Sequence, residues 1–159
     1  MTLKDKTAIV TGSTSGIGLG LAEGFAATGA NVVINGFGDP AEIEAARARL
    51  DGLGAGTVVY DGADMSDPDA IEAFVKAAEA KFGGVDIVVN NAGSLTVEPV
   101  ESFPIDRWVL IVAINMSSAF HTVRAALPGM KERGWGRVIN IASAHGLVAS
   151  PYKTAYVTA

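Results

Sequence analysis

Thr7-Ala8-Ile9-Val10-Thr11-Gly12-Ser13-Thr14-Ser15-Gly16-Ile17-Gly18 decides how this chain folds. Its first four residues form a short apolar run of strand character, and the residues after Gly16 take up helical spacing. Glycines at 12, 16 and 18 let the backbone turn sharply and approach a ligand with no Cβ in the way. A helix that begins there points unpaired N–H groups, and the positive end of its dipole, at whatever sits above the turn. Strand, glycine turn and helix in that order is an arrangement that holds a dinucleotide pyrophosphate. A tight turn also uses glycine, so the position at the first strand–helix junction is what favours a cofactor loop.

Outward from that junction, short apolar runs alternate with helical periodicity. Ile17, Leu21 and Phe25 recur every four residues, and Gly29 closes the first helix. Residues 31–35 predict a second strand, 40–50 a helix stopped by Gly52 and Gly54, and 57–60 a third strand. Ser66-Asp67-Pro68-Asp69 predicts a helix start with a capping hydroxyl at Ser66. Ile71, Phe74, Val75, Ala78 and Phe82 give that helix one apolar face, ended by Gly83-Gly84. Residues 85–89 predict a fourth strand and 137–142 a fifth; between them a long helix starts at Pro104 and is expected to stop at Pro128. Strands separated by helices imply right-handed crossovers and a parallel sheet. The expectation is one α/β unit of Rossmann type, a doubly wound parallel sheet of about five strands over residues 1–159.

With 159 residues the chain can bury one sizeable core, and 49% apolar content suits strands covered on both faces. A net charge of −5 without a basic cluster argues against nucleic acid or an anionic membrane surface as partner. There is no cysteine, so no disulfide or thiolate metal site can form, and two histidines make a zinc site a poor reading. The first residues lack the apolar core of a secretory signal, and no apolar run reaches bilayer-spanning length, so a soluble cytoplasmic protein is expected.

Candidate site residues cluster where strands end. Asn35-Gly36-Phe37-Gly38-Asp39 follows the second strand, where an adenosine ribose would rest. No basic residue stands between Lys6 and Arg47 to receive a 2′-phosphate, which favours NAD; the acidic residue usual for NAD is not squarely at the strand end, since Asp39 lies beyond two glycines, and Phe37 could instead lie against the adenine. Ala63, Asp64 and Met65 follow the third strand, and the Asp64 carboxylate can either accept from an adenine amino group or stand solvated in a loop. Asn90-Asn91-Ala92-Gly93 follows the fourth strand and allows a close backbone approach, as an ordinary turn also would. Asn115 sits among Ile111, Val112, Ile114 and Met116; a poor helix former in so apolar a setting points to a functional polar contact. Ser143 follows the fifth strand and Tyr156 comes thirteen residues later, a pair suited to proton transfer beside a nicotinamide. His145 and Lys153 flank them and read equally well as loop and solvated residues; Trp108 and Trp135 read as packing.

Taken together, the chain resembles the short-chain dehydrogenase/reductase family along its whole length. Thr11 to Gly18 matches the family's TGxxxGxG loop, residues 90–93 its NNAG motif, and Asn115, Ser143 and Tyr156 its active-site positions. Within the family it resembles the bacterial subfamily acting on D-3-hydroxybutyrate. The matching stretches are residues 12–20, 35–39, 60–64 and 141–150. The resemblance implies NAD held by Gly12, Thr14, Ser15, Gly16, Ile17, Gly18, Phe37, Ala63, Asp64, Met65, Asn91, Ala92 and Gly93. It implies Tyr156 as general acid–base, Ser143 holding the reacting oxygen, Asn115 ordering a water, and His145 with Lys153 holding the substrate carboxylate. Homotetramers are the family's usual assembly.

Two departures qualify the match. The subfamily's glutamine two residues after the NNAG glycine is Leu95 here, which weakens the hold on a small 3-hydroxy or 3-keto acid or signals a less polar substrate. The family's active-site lysine, four residues after the tyrosine, would be residue 160, and the sequence ends at Ala159. A phenol ordinarily titrates near ~10, and the family sets a lysine beside it. The expectation is therefore the N-terminal part of a longer enzyme, inactive as 159 residues, with residues 138–141 left as an unpaired apolar sheet edge. Another reductase of the family, such as a 3-oxoacyl reductase, and a non-catalytic nucleotide-binding or oligomerising module are the alternatives.

Overall fold

The computed structural model describes residues 2–159. Strands β1 (Thr7–Val10), β2 (Asn31–Asn35), β3 (Val58–Asp61), β4 (Ile87–Asn90) and β5 (Arg137–Asn140) form one parallel sheet in the order β3-β2-β1-β4-β5. The register sets Ile9 beside both Val33 and Val88. The chain builds outward from β1 to one edge, then returns to the other side of β1 to lay down β4. This reversal opens a crevice at the carboxyl ends of β1 and β4, where doubly wound sheets bind ligands.

Alternating side chains of the strands feed two cores. Ala8, Val10, Val32 and Ile34 pack with Ala22 and Ala26 of α1 (Gly16–Ala27) and with Leu50 of α2 (Pro40–Asp51). Ile9, Val33 and Val88 face the opposite way, onto Ile71, Phe74 and Val75 of α3 (Pro68–Phe82) and Ala126 and Met130 of α5 (Ser118–Glu132). Both faces of the central strands are thus covered, which explains why β1 and β4 read as unbroken apolar runs.

Several sequence expectations change at this level. The buried stripe of α1 is Gly18, Ala22 and Ala26, whereas Ile17 is 69% exposed. Small residues bring the helix close to the sheet, and Leu21 and Phe25 pack only partly against the core. Asp67, not Ser66, caps α3, accepting from the N–H groups of Asp69 and Ala70. Asp39 likewise caps α2 through Ala41 and Glu42. Strand β5 ends at Asn140 rather than 142 and is an edge strand, with Val138 and Ile139 exposed.

The long helix differs most. It comprises α4 (Ile105–Val112), a π-helical turn (Ala113–Ser117) and α5, and it passes through Pro128 to Glu132. The carbonyl that Pro128 leaves without a donor belongs to Arg124, and both residues are exposed, so water can satisfy it. Beyond the proline, Met130 is buried in the core, which draws the helix onward. Residues Ile105–Glu132 are long and apolar enough to cross a membrane by length and composition, contrary to the expectation that no run reaches that length. In this fold Ser118 and Thr122 of that helix are buried, and Thr122 donates to Asn90 of β4.

At the amino end of the sheet Asp86 is 7% exposed and accepts from the Thr7 N–H at 3.0 Å. Lys6 and Arg133 each lie 3.6 Å from its carboxylate, and Arg133 also donates to the Val85 carbonyl. Trp135 is flanked by Lys6 and Arg137, so its ring packs against cations at the surface.

Candidate active site

The glycine loop leaves β1 through Gly12, whose φ is +61°. A Cβ there would stand 2.8 Å from the Ala92 Cα, so the loop and the segment after β4 touch backbone to backbone. Gly18 seals the same junction from the helix side, where a Cβ would collide with the Gly12 carbonyl and the Asn91 amide. Asn91 donates to the Thr11 and Gly12 carbonyls, and the Thr11 hydroxyl accepts from the N–H groups of Asn91 and Ala92. The Asn-Ala-Gly segment therefore works as a latch on the glycine loop.

Asn35 supplies a second latch, one the sequence reading did not single out as a site residue. Fully buried at the end of β2, it accepts from the Gly12 N–H and donates to the Asp61 and Ala63 carbonyls. The hint in the sequence is an asparagine ending an apolar strand, where its polarity must find partners. Its carboxamide is consumed in holding three loops together.

Helix α1 differs from its neighbours at its start. Its N-cap, Ser15, makes no side-chain capping bond and its first turn carries no acid, whereas α2 and α3 are capped by aspartates. Uncapped N–H groups beside a loop that a Cβ would fill suit an anionic ligand. Above them lies a cleft of about 410 Å³, lined by Gly12, Thr14, Ser15, Ile17, Gly18, Phe37, Ala63, Asp64, Met65, Asn91, Ala92 and Gly93. Every expected cofactor residue but Gly16 thus lines it; Gly16 opens α1 with φ +56°. Asn35, Gly36 and Ile114 complete the wall. Phe37 is 67% exposed at the rim, and Asp64 turns one carboxylate oxygen to the N–H and hydroxyl of Ser66. These residues fit a dinucleotide: an uncapped helix start and glycine cradle for phosphates, an exposed ring and a carboxylate for an adenine.

A second cavity of about 640 Å³ shares Ile17, Asn91, Ala92 and Gly93 with the first and continues past Asn115, Ser143 and Tyr156. Ser143 accepts from the His145 N–H at 3.2 Å, which leaves its own proton available to a ligand oxygen. Tyr156, on α6 (Thr154–Thr158), faces the His145 ring edge-on at 6.3 Å between centroids. His145 Nδ1 lies 3.3 Å from the Val148 carbonyl, which can only accept, so the ring proton belongs on Nδ1. Nε2 then receives a proton donor, Lys153 Nζ, at 3.5 Å. His145 thus lies between Lys153 and Tyr156, although of the three only Tyr156 lines the cavity. The Asn115 carboxamide is committed to Ser94, accepting from its N–H at 2.8 Å and donating to its carbonyl at 3.0 Å. One Oδ1 lone pair and one Nδ2 proton remain to meet a water.

A doubly wound parallel sheet with a glycine cradle at its switch point defines a Rossmann-type architecture. The chain belongs to the short chain dehydrogenase family, whose sequence profile matches residues 6–159. It is 56% identical over 97% of its length to the D-beta-hydroxybutyrate dehydrogenase of Rhizobium meliloti and 58% identical over 99% to that of Cupriavidus necator. The chain spans 60% of the length of each of these relatives. A crystal structure assigned as a short-chain alcohol dehydrogenase from Sinorhizobium meliloti matches 99% of the chain and 62% of its own, with a TM-score of 0.92 and 30% identity. Nicotinamide cofactors serve this family.

Proposed function

We propose that the protein carrying this chain is an NAD-dependent dehydrogenase that interconverts a small 3-hydroxy acid and its 3-keto acid, 3-hydroxybutyrate and acetoacetate. The single observation that carries this reading is the continuity of the glycine-loop cleft with the Ser143–Tyr156 cavity through Ile17, Asn91, Ala92 and Gly93. It would lay a reacting carbon beside a nicotinamide. When bound, the nicotinamide supplies the hydride acceptor for alcohol oxidation and the donor for ketone reduction. Ser143 donates to the reacting oxygen and holds it in place. Tyr156 takes the hydroxyl proton during oxidation and returns it during reduction. Lys153, with His145 against its ammonium, holds the substrate carboxylate. NAD is preferred over NADP because no lysine or arginine occurs in the sequence between Lys6 and Arg47 to meet a 2′-phosphate.

The protein acts on a small molecule in the cytoplasm, without nucleic-acid or membrane partners, in keeping with its net charge of −5 and lack of a basic cluster. It assembles as a homotetramer through its long helix, which exposes Ile105, Val109, Met116 and Phe120. A second reading, a reductase of less polar 3-oxo compounds, draws on Leu95, which is 45% exposed beside Ser94. The test is steady-state turnover of the protein as its gene encodes it, with D-3-hydroxybutyrate and NAD, with NADP, and with a neutral β-ketoester and NADH. Preference for the acid with NAD supports the first reading; preference for the ester replaces it with the second; no turnover of either removes both.

A further inference from the structure

The segment joining Gly93 to the Lys153 region is held by a residue that no role yet covers. Arg107, half-buried on α4, donates from Nε to the Thr96 hydroxyl at 3.2 Å and from Nη2 to the Ser94 hydroxyl at 3.5 Å. It has no carboxylate partner among the described residues. A half-buried guanidinium answered only by two neutral hydroxyls contributes little as an ion pair, but its rigid fork fixes the geometry of both acceptors. The segment is extended and alternates. Ser94, Thr96 and Glu98 face protein partners, while Leu95 and Val97 stand exposed.

One end of that segment adjoins both cavities, and the other pairs with the Lys153 backbone. Asn115 clamps the main chain of Ser94, the residue after the Gly93 that lines both cavities. At the far end Glu98 donates its N–H to the Tyr152 carbonyl at 2.8 Å and forms a parallel bridge with Lys153. Tyr152 is held there at φ +62°, a conformation non-glycine residues adopt only under constraint. Between the two anchors, the side-chain ties are those of Arg107.

We propose that Arg107 is a positioning residue: by forking onto Ser94 and Thr96 it fixes the 94–98 segment, and through the Glu98–Lys153 bridge it sets where Lys153 meets the anionic end of the substrate. The inference deepens the function proposed above and rests on it for its kinetic consequence. Its structural half is independent, because it concerns the order of residues 94–98 without substrate.

The test uses the protein as its gene encodes it, with Arg107→Gln, Arg107→Lys and Thr96→Val. Amide hydrogen exchange of residues 94–98 is measured without ligands, and KM, kcat and the NADH dissociation constant are measured with 3-hydroxybutyrate as substrate. The expected result is exchange at least ~10-fold faster in this segment in both Arg107 variants, since a lysine cannot reproduce the fork. KM for 3-hydroxybutyrate rises ~10-fold while kcat and NADH affinity stay within ~2-fold. Thr96→Val gives a smaller change of the same kind, and the Arg107→Gln/Thr96→Val double variant is no worse than Arg107→Gln alone. Unchanged exchange in all three variants overturns the proposal, as does a loss confined to kcat or to NADH binding. If the wild-type protein does not turn over 3-hydroxybutyrate, the functional reading fails, and the exchange data alone uphold or overturn the positioning role. Should Arg107→Gln not fold, Thr96→Val alone decides the matter.

Discussion

Gly12 lines one of the joined cavities and Tyr156 the other, and each makes a different kind of prediction. An alanine at 12 would be strained at φ +61° and would press its Cβ to 2.8 Å from the Ala92 Cα. Gly12→Ala is expected to cost roughly 2–4 kcal/mol in urea unfolding and to abolish NADH binding measured by fluorescence. Equal stability with intact binding would show that the loop does not meet Ala92 as described. Tyr156 makes no side-chain hydrogen bond among the described residues, so its hydroxyl is not structural. Tyr156→Phe should leave the melting temperature unchanged and lower kcat by ~10²–10⁴ if the phenol moves the proton. Activity within a few-fold of wild type would remove Tyr156 from the mechanism.

Helices carry the next set of expectations. Pro128 interrupts the hydrogen-bond ladder on an exposed face while Met130 anchors the turn beyond it. Pro128→Ala restores the missing donor to the Arg124 carbonyl and is expected to stabilise the fold by about 1 kcal/mol or more, read as a raised denaturation midpoint. A lower midpoint would mean that the helix is bent to suit the proline. Arg133 reaches from the end of α5 to Asp86 and the Val85 carbonyl, passing close to Gly84 and Gly129. Arg133→Ala leaves Asp86 with Lys6 as its one remaining cation and is expected to cost roughly 1–3 kcal/mol. On α2, a hydrogen bond from Arg47 holds the Glu44 carboxyl below its ordinary value, and Lys76 does the same for Glu72 on α3. A depressed folded value means the contribution is present above the unfolded value, about 4.3, and fades as pH falls through the folded one. Acid melts of Glu44→Gln should therefore converge on wild type below that window and diverge slightly above it. Both carboxylates are solvent-exposed, so the divergence is small.

For the molecule as a whole, the proposed tetramer predicts that Phe120→Glu, a charge placed on the exposed apolar stripe of the long helix, reduces the sedimenting mass without unfolding the subunit. An unchanged mass would place the subunit contacts elsewhere. The sheet also explains which parts of this chain could be read in advance. Strand and helix order was legible because apolar runs and four-residue spacing are local properties of the chain, and the glycines at 12, 16 and 18 mark their turn by residue type alone. Among the candidate residues, Asn115 reads as a polar group in an apolar setting, whereas Ser143 and Tyr156 rest on their pairing after the fifth strand and on the family resemblance.

What remained hidden depended on partners far away along the chain. Nothing near Asn35 announces that its carboxamide ties residues 12, 61 and 63 together, and nothing near Arg107 points to hydroxyls at 94 and 96. The sequence places the cap at the Ser66 hydroxyl, and only the backbone path into α3 chose Asp67. The sequence by itself determined the doubly wound parallel sheet, its phosphate-type loop and the identity of the polar groups at its carboxyl edge, because periodicity and glycine chemistry act over a few residues. Only the tertiary structure decided that the two cavities join at Ile17 and Gly93, and which side chains hold that junction, because hydrogen bonds between distant segments exist only once the sheet has set its register.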